Sequence, residues 1–373
     1  MEPGSRTTLA SARRVIVKVG SALAIDQSSG TIRDSWLEML ARDIARLCVR
    51  GQDVVLVSSG AVAIGRHALG LGQRKLLKKD RQAAAAVGQM QLTRAHREIF
   101  ARHRMTAAQV LLTLDDTTER RRMQNARATL TNLLTFRAIP VLNENDAIAT
   151  SAASFGDNDH LAASVARLIG SDTLVLLSDV GGLYTADPHG DPDASLIKEV
   201  HEITPEIVRM AGGARSDYSA GGMVSKLAAA RIAVASGCVT IIADGREAYP
   251  LSAIDAGKPC TWFHPSNAAR VARKRRIGNT LRPNGVIVVD PAAAMQVRSG
   301  NSLCVGGVQS FDGDFSRGDA VIIRDVHGSE FARGLTIWSS AELRCVTRQH
   351  KEGARIASGL NRVVDRDDLA FTD

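Results

Sequence analysis

The sequence predicts an α/β protein with an open, mainly parallel sheet sandwiched by helices, followed by a small all-β domain. From Arg14 to about Asp244, short β-branched runs alternate with longer stretches of helical periodicity, which is typical of a parallel sheet covered by helices. Beyond Pro265, short strand-like segments are separated by glycines. The 373 residues also exceed what one hydrophobic core usually organises. Two domains of unequal size are therefore expected.

Five strands are expected in the larger domain, at the runs richest in Val, Ile and Leu. They are Val15–Val19, Val54–Val57, Ile139–Leu142, Thr173–Leu177 and Val239–Ala243. The clearest helix spans about Asp34 to Arg50, because apolar residues recur there at three- and four-residue spacing and a glycine stands at the C-cap position. Another helix is expected from about Leu161 to Ile169, with Asp157 or Asn158 as its N-cap.

The expected boundaries are a catalytic domain over residues 1–264, a basic linker over 265–283 and a small β domain over 284–362. The linker carries Arg270, Arg273, Lys274, Arg275 and Arg276. Three strands are expected in the β domain, at Gly285–Val289, Ala320–Ile323 and Glu330–Leu335.

Composition and motifs exclude several classes of protein. The five cysteines have no paired spacing for zinc and the nine histidines form no HExxH-type cluster, so a zinc hydrolase lacks support and no metal-ligating residue is assigned. No apolar run approaches the roughly 18 residues of a membrane span, and the first residues lack the apolar region of a secretion signal. A cytoplasmic location without a membrane partner is expected. The net charge of +8 suits phosphate-bearing ligands and equally suits plain solubility.

The usual phosphate-binding motifs are absent. Residues 60–67 have the glycine spacing of a P-loop, but Arg66 and His67 stand where Lys and Ser or Thr are required, and no GxGxxG occurs. Four strands nevertheless end in polar loops, at Lys18 to Ser21, Ser58 to Ala61, Asn143 to Asp146, and Ser178 to Gly182. Each loop alone is ordinary turn composition. Together they indicate a ligand site, because the carboxyl ends of parallel strands meet at one crevice.

Charge is distributed in these loops in a way that suits phosphate. Glycines at the ends of the first two strands let backbone N–H groups approach an anion, and Lys18 adds a positive charge. A second basic candidate is Lys226, which follows Gly221 and Gly222 at the start of a helical stretch. Acidic and amide side chains form a further cluster around Asp146 and at residues 157–159. That cluster suits an amino group, the lysines, or a water-mediated contact to Mg²⁺.

With these motifs identified, the chain resembles the amino-acid kinase family, and within it the members that phosphorylate glutamate. The segments that carry the resemblance are VIVKVGS (15–21), VVLVSSGAVAIG (54–65), AAVGQMQL (85–92), PVLNENDAIAT (140–150), FGDNDHLAA (155–163), LLSDVGGLYTADP (176–188) and GGMVSKLAAA (221–230). Residues 313–318, Gly-Asp-Phe-Ser-Arg-Gly, resemble the PUA domain that follows the kinase in many bacterial members. The resemblance therefore implies the amino-acid kinase fold with a C-terminal PUA-like barrel.

The resemblance also implies roles for individual residues. The implied catalytic residues are Lys18 and Lys226 on the phosphates, with Asp159 organising both lysines. The implied glutamate-binding residues are Ser59, Asp146 and Asn158, with Asn143 and Asp157 nearby. The implied ATP-binding residues are Lys18, Gly20, Ser178, Asp179, Ala220, Gly221, Gly222, Met223, Val224, Ser225 and Lys226. Before Gly221 this chain has Ser219 and Ala220, where the family more often has Gly-Thr.

The implied reaction is phosphorylation of the side-chain carboxylate of L-glutamate by ATP with Mg²⁺, opening proline synthesis and restrained by proline, in a dimer or tetramer. The chemistry is coherent, because a carboxylate with a pKa near 4.3 is already ionised at neutral pH and needs no general base. One alternative is a family member with another acceptor, such as aspartate, acetylglutamate, carbamate or a nucleoside monophosphate. A second alternative is RNA binding through the PUA-like domain, with its linker arginines and with Phe311, Phe315, Phe331 and Trp338 as stacking candidates.

Overall fold

The computed structural model describes residues 8–72, 74–149, 155, 157–188, 190–211, 222–266, 269, 283–352 and 361–372. The chain divides into two compact units, Met1–Ser266 and Asn267–Asp373. Most of the expected basic linker, including Arg270 and residues 273–276, lies outside the described residues.

The first unit alternates strands and helices along the described chain. Its elements are β1 (Arg14–Val19), α1 (Ser21–Ala24), α2 (Asp34–Val49), β2 (Asp53–Val57), α3 (Ala61–Ala68), α4 (Lys78–Arg102), β3 (Thr106–Leu112), α5 (Asp115–Thr118), α6 (Arg120–Thr135), β4 (Ala138–Glu144), α7 (Asn158–Ile169), β5 (Thr173–Ser178), β6 (Glu199–Val200), α8 (Pro205–Met210), α9 (Met223–Ala235), β7 (Val239–Asp244), α10 (Pro250–Asp255) and β8 (Cys260–Phe263).

The strands of the first unit form one sheet in the order β3-β4-β2-β1-β5-β7-β8-β6. All neighbouring pairs are parallel except β7 and β8, which are antiparallel. The mainly parallel sheet is thus confirmed, and each of the five expected strands lies within an observed one. Strand β3 escaped sequence-based prediction because it lies at the sheet edge and is largely exposed or half-buried, so its sequence TAAQVLL lacks a continuous β-branched run.

Helices cover both faces of this sheet, as expected. All six residues of β1 are buried, and they alternate between two cores. Val15 and Val17 pack into the core that contains Leu40 of α2, while Ile16 packs into the core that contains Leu161 of α7. A central strand covered on both faces reads as a continuous apolar run, which is why β1 was recognisable from its sequence.

Helices α3 and α4 cross at two glycines. A Cβ atom on Gly65 would lie 1.7 Å from the carbonyl oxygen of Ala84, and one on Gly88 would lie 1.9 Å from the carbonyl oxygen of Ala61. Only residues without a side chain permit this separation of the two backbones. Because α3 begins directly after β2, the crossing fixes the position of α4 relative to the carboxyl end of that strand.

The second unit, taken by itself, is a six-stranded sheet with two helices among its described residues. Its elements are β9 (Gly285–Val289), α11 (Pro291–Arg298), β10 (Leu303–Cys304), β11 (Val308–Gly313), β12 (Ala320–Arg324), β13 (Glu330–Thr336), α12 (Ser340–Lys351) and β14 (Arg362–Phe371), with strand order β10-β14-β13-β12-β9-β11. The three expected strands are confirmed. The expected domain end at residue 362 coincides with the start of β14, which continues to Phe371.

The four aromatic residues proposed for base stacking belong to the interior of this unit. Phe315, Phe331 and Trp338 are buried in its hydrophobic core, and Phe311 is partly buried against that core. Arginine side chains cover three of the rings, with the guanidinium carbon of Arg317 5.2 Å from the Trp338 ring centre. These rings therefore stabilise the unit, and the basic residues expected to act with them lie outside the described part of the chain.

Candidate active site

The polar loops identified in the sequence converge at one edge of the sheet. Strands β4, β2, β1 and β5 are consecutive neighbours and mutually parallel. Their carboxyl ends therefore lie side by side, and α3 and α7 begin in the connections that follow β2 and β4. The N-terminus of a helix carries unpaired N–H groups and partial positive charge, which favours anionic ligands.

Asp159 lies at the centre of this edge and binds two lysines. Its Oδ1 is 2.6 Å from Nζ of Lys18, and its Oδ2 is 3.3 Å from Nζ of Lys226. Asp159 is completely buried, and the side chains of the two lysines are 7% and 5% exposed. Lys18 comes from β1, Asp159 from the first turn of α7 and Lys226 from the first turn of α9. The cluster contains two cations and one anion, so it keeps a net positive charge next to the crevice.

The electrostatics of this cluster favour charged side chains in spite of their burial. Burial alone would raise the pKa of Asp159, but the charges and hydrogen bonds of Lys18 and Lys226 lower it overall. The pKa of Lys226 is lowered, chiefly by burial and with a contribution from the charge of Lys18, while Asp159 opposes the decrease. Asp159 is therefore a stable counter-ion, and Lys226 loses its proton more readily than an ordinary lysine does.

Asn158 connects three neighbouring segments through its amide nitrogen. Nδ2 of Asn158 donates to the carbonyl oxygen of Ser58 (2.9 Å), to Oγ of Ser59 (2.8 Å) and to Oδ1 of Asn143 (2.9 Å). Oδ1 of Asn143 also accepts from the backbone N–H of Glu144 at 2.9 Å. The ends of β2 and β4 and the start of α7 are thus joined at one amide group.

Two buried polar atoms at this junction have no partner among the described residues. They are Oδ1 of Asn158 and Oγ of Ser58. Most buried polar atoms in folded proteins are hydrogen-bonded, so an unsatisfied acceptor next to a crevice indicates a ligand that supplies a donor. An ammonium group fits this requirement.

The segment between β4 and α7 carries two further carboxylates. Glu144 is buried, and its Oε1 accepts from the backbone N–H of Phe155 at 2.8 Å, which fixes the far end of the segment to β4. Burial, together with the nearby charge of Glu144, raises the pKa of Asp146 to about 6, against a smaller opposing effect of Arg81. Asp146 is therefore largely ionised at neutral pH and becomes protonated in mildly acidic solution.

Asp157 is the N-cap of α7, one of the two options expected from the sequence. Its Oδ1 accepts from the backbone N–H of His160 at 2.8 Å. Its Oδ2 accepts from the hydroxyl of Ser225, which also lies 3.5 Å from Oδ2 of Asp159. Asp157 and Ser225 thus connect the N-terminal ends of α7 and α9, on which Asp159 and Lys226 are carried.

The expected nucleotide side lies at the ends of β1 and β5 and at the start of α9. Ser178 is buried, and its hydroxyl donates to Oδ1 of the exposed Asp179 at 3.1 Å. The backbone N–H of Gly20 donates to the carbonyl oxygen of Leu177 at 3.3 Å. Asp179 also influences the pKa of Lys226, which places it near the lysine cluster. At the N-terminal end of α9, Gly222 is the N-cap, followed by Met223, Val224, Ser225 and Lys226. Ala220 and Gly221 lie outside the described residues.

Two residues of the site escaped sequence reasoning. Gln89 of α4 accepts from Nδ2 of Asn143 at 2.8 Å, and Glu144 holds the segment that carries Asp146. Glu144 lay within the polar loop predicted after β4, although no role was assigned to it. Gln89 lay within a segment that marked the family resemblance and had no distinguishing charge or spacing. Across the described part of the chain, no group of three His, Cys, Asp or Glu side chains is arranged to hold a metal ion.

The sequence profile of the amino acid kinase family matches residues 13–244, and the profile of the PUA domain matches residues 285–358. The chain belongs to the amino acid kinase family. Within that family it is similar over nearly its whole length to glutamate 5-kinases. The one from Paramagnetospirillum magneticum is 49% identical over 366 residues, covering 97% of this chain and 99% of the relative. The one from Agrobacterium fabrum is 48% identical over 371 residues, covering 99% and 95%.

Solved structures support the fold. A carbamate kinase from Giardia lamblia bound to AMP-PNP superposes with a TM-score of 0.50 at 18% identity, over 69% of this chain and all of that one. At this level of identity the likeness concerns the fold alone.

No helix among the described residues has the length and apolar character needed to cross a membrane.

Proposed function

We propose that this protein transfers the γ-phosphoryl group of ATP to the side-chain carboxylate of L-glutamate, giving L-glutamyl 5-phosphate and ADP at the first step of proline synthesis. The observation that carries the proposal is the pair of lysines on the buried Asp159, at the junction of an amide-rich crevice and the expected nucleotide side. Identity of 48–49% to glutamate 5-kinases over nearly the whole chain supports glutamate as the acceptor.

Glutamate would occupy the crevice at the ends of β2 and β4. Its ammonium group would donate to the unsatisfied Oδ1 of Asn158 and face the carboxylate of Asp146. Ser59 and Asn143 border the same space through their hydrogen bonds to Asn158. Asp157 would act from its capping position at the start of α7, by holding Asn158 and Asp159 in place.

ATP would lie across the ends of β1 and β5. The backbone at Gly20 and the residues Ser178 and Asp179 would border it on one side, and the segment from Ala220 to Lys226 on the other. A lysine ammonium has three N–H donors, so Lys18 and Lys226 can bind Asp159 and still reach phosphate oxygens. The net positive charge of the cluster would offset the repulsion between the anionic acceptor and the anionic phosphate.

Catalysis in this arrangement depends on alignment and charge. An oxygen of the glutamate side chain attacks the γ-phosphorus in line, forming an O–P bond while the bond from that phosphorus to the β,γ-bridging oxygen breaks. ADP leaves with the electron pair, and no proton has to be transferred. Mg²⁺ enters as part of the Mg·ATP substrate. This fits the lack of a carboxylate metal site among the described residues and the commitment of Asp159 to two lysines.

Hydroxamate trapping tests the reaction directly. Glutamate, ATP and Mg²⁺ are incubated with the protein and hydroxylamine, which converts an acyl phosphate to a stable hydroxamate. Glutamyl hydroxamate formation that requires ATP is expected. Turnover of aspartate, acetylglutamate, carbamate or a nucleoside monophosphate without any glutamate product would disprove the choice of acceptor.

We also propose that proline inhibits the enzyme by competing with glutamate. Proline has the same α-carboxylate and a positively charged amino group, so it can meet the donor requirement at Asn158 without offering a side chain for phosphorylation. Raising the glutamate concentration should restore the rate at fixed proline if this is correct.

The remaining proposals concern organisation and location. We propose a catalytic domain over residues 1–264 and a PUA-like domain that begins at 284, assembled into a dimer or tetramer. The end expected at 362 is moved to Phe371, because β14 pairs with β10 and β13 in the sheet of this unit. Apolar side chains exposed on the first unit, among them Met90 at 78% and Phe136 at 79%, support self-association. None of the five cysteines, all of which lie in the described part of the chain, forms a disulfide, which supports the reducing cytoplasm. Light scattering on the purified protein measures its oligomeric state.

A further inference from the structure

Gln89 occupies a polar position on α4 that faces the acceptor side of the site. It is half-buried, and its Oε1 accepts from Nδ2 of Asn143 at 2.8 Å. Its Nε2 donates to Oγ1 of Thr93 at 3.3 Å, and that hydroxyl in turn donates to the backbone carbonyl of Gln89 at 2.8 Å. The threonine hydroxyl therefore acts as the acceptor for the glutamine amide, so Oε1 of Gln89 is directed to Asn143.

This hydrogen bond and the backbone N–H of Glu144 together set the direction of the Asn143 amide. With Nδ2 of Asn143 facing Gln89, Oδ1 of Asn143 faces Nδ2 of Asn158 and the backbone N–H of Glu144. Nδ2 of Asn158 is held on the protein side by Asn143, by the carbonyl oxygen of Ser58 and by Oγ of Ser59. The atom left over is Oδ1 of Asn158, the buried acceptor without a described partner.

We propose that Gln89 is a positioning residue for the amino-acid acceptor. It helps to hold the amide orientation of Asn143 and, through it, of Asn158, so that an oxygen and not an NH₂ group is presented to the ammonium group of the substrate. This inference rests on the proposed glutamate kinase activity. It assigns a residue that would govern acceptor affinity without touching the nucleotide or the reacting atoms.

The position of Gln89 follows from the packing of its helix. Gly88 precedes it and lies against the backbone of Ala61 at the α3–α4 crossing. Since α3 starts next to Ser59, this close crossing brings α4 near the end of β2 and puts Gln89 within reach of Asn143 on β4. A larger residue at position 88 would force the two helices apart and lengthen the bond to Asn143.

The test compares three variants in glutamate- and ATP-dependent kinetics. Gln89→Met keeps the length of the side chain and removes both hydrogen bonds, so Nδ2 of Asn143 loses this partner and the Asn143–Asn158 amide pair is held less tightly. The KM for glutamate is expected to rise about 10-fold, the size expected for one lost hydrogen bond to a charged group, while kcat and the KM for ATP change less than about 2-fold. Gln89→Glu retains an acceptor for Asn143 and should restore most of the glutamate affinity. Gln91→Met, on the exposed side of the same helix, is the matched control and should behave like the wild type.

The outcomes separate this proposal from the proposed function. If the wild type forms no glutamyl hydroxamate, the proposal that the protein phosphorylates glutamate is wrong. If the wild type is active and Gln89→Met leaves the glutamate KM unchanged, the positioning role is wrong. Equal losses in kcat and in both KM values, unrescued by Gln89→Glu, would mean that Gln89 only supports the fold, and they would also overturn the proposal.

Discussion

Nζ of Lys18 lies 2.6 Å from Oδ1 of Asp159, and both side chains are almost entirely removed from solvent. The second oxygen of the same carboxylate holds Lys226 at 3.3 Å. Burying an ion is costly unless opposite charges and hydrogen bonds surround it. One aspartate therefore offsets part of the cost of burying two lysines and holds them close together, which suits them to bind the phosphates of one substrate.

Replacing Asp159 with Asn should remove the counter-ion of both lysines. Two buried cations would then face each other without the carboxylate they share, so the expected results are a loss of kcat of about 10²-fold and a decrease in unfolding free energy of about 3 kcal/mol. Kinetics and urea unfolding measure the two effects. The exposed Asp193, changed to Asn, is the control for loss of one negative charge. A fully active and equally stable Asp159→Asn variant would contradict the role assigned to this carboxylate.

Removing either lysine should affect turnover more than protein stability. Lys18→Ala and Lys226→Ala are each expected to lose about 10²-fold or more in kcat, the scale of removing one preorganised electrostatic group. Lys258→Ala, which removes an exposed lysine, serves as the control. Near wild-type turnover in both active-site variants would mean that the phosphates bind elsewhere.

The acidity of Asp146 predicts a pH-dependent affinity for glutamate. Its pKa of about 6 lies above the usual 3.8, so the carboxylate becomes protonated and loses its charge as the pH falls through 6. If only the ionised form binds the ammonium group, the KM for glutamate should rise roughly 4-fold between pH 7.5 and 5.5. Asp146→Asn should show a high KM that does not change over this range. A flat wild-type profile would rule out a charge interaction with Asp146.

The buried His96 predicts loss of stability in mild acid. It is 3% exposed, with Nδ1 2.8 Å from the carbonyl oxygen of Leu92. Burial lowers the pKa of His96 below its usual 6.5, although the bond to Leu92 opposes the shift. Below pH 6.5 the unfolded chain therefore binds a proton that the folded protein does not, and the unfolding free energy falls by at most about 1.4 kcal/mol per pH unit.

Urea unfolding at pH 7.5 and 5.5 measures this contribution. His96→Gln should reduce the difference in stability between the two pH values, whereas the same change at the exposed His67 should leave it unaltered. An equal pH dependence in the wild type and in His96→Gln would assign the acid sensitivity to other groups.

At the helix crossing, the substitution Gly65→Ala should change the stability in opposite directions according to whether helix propensity or packing dominates. Propensity alone would make Gly65→Ala stabilising by about 1 kcal/mol. The added methyl group would lie 1.7 Å from the Ala84 carbonyl oxygen, however, so the helices must separate and a net loss of about 1–3 kcal/mol is expected. Thermal unfolding decides between the two, and a raised melting temperature would show that the crossing adapts freely.

Strands β1, β2, β4, β5 and β7 could be predicted from the amino-acid sequence, because a strand buried on both faces is mostly apolar. It also indicated the polar loops that follow four of them, since strand ends in a parallel sheet are the places where such loops converge. The edge strand β3 and the antiparallel β8 were not predicted, because half-exposed or short strands leave weak patterns.

The pairing of the site residues could not be predicted from the sequence and depends on the fold. Lys18, Asp159 and Lys226 are separated by 141 and 67 positions in the chain, and no spacing rule relates groups so far apart, so their meeting depends on the order of strands in the sheet. The same holds for Gln89, whose amide acquires a role only because two glycines let α4 approach the ends of β2 and β4. Local sequence sets which segments are strands or helices, whereas the direction of a buried hydrogen bond is fixed by neighbours that folding brings together.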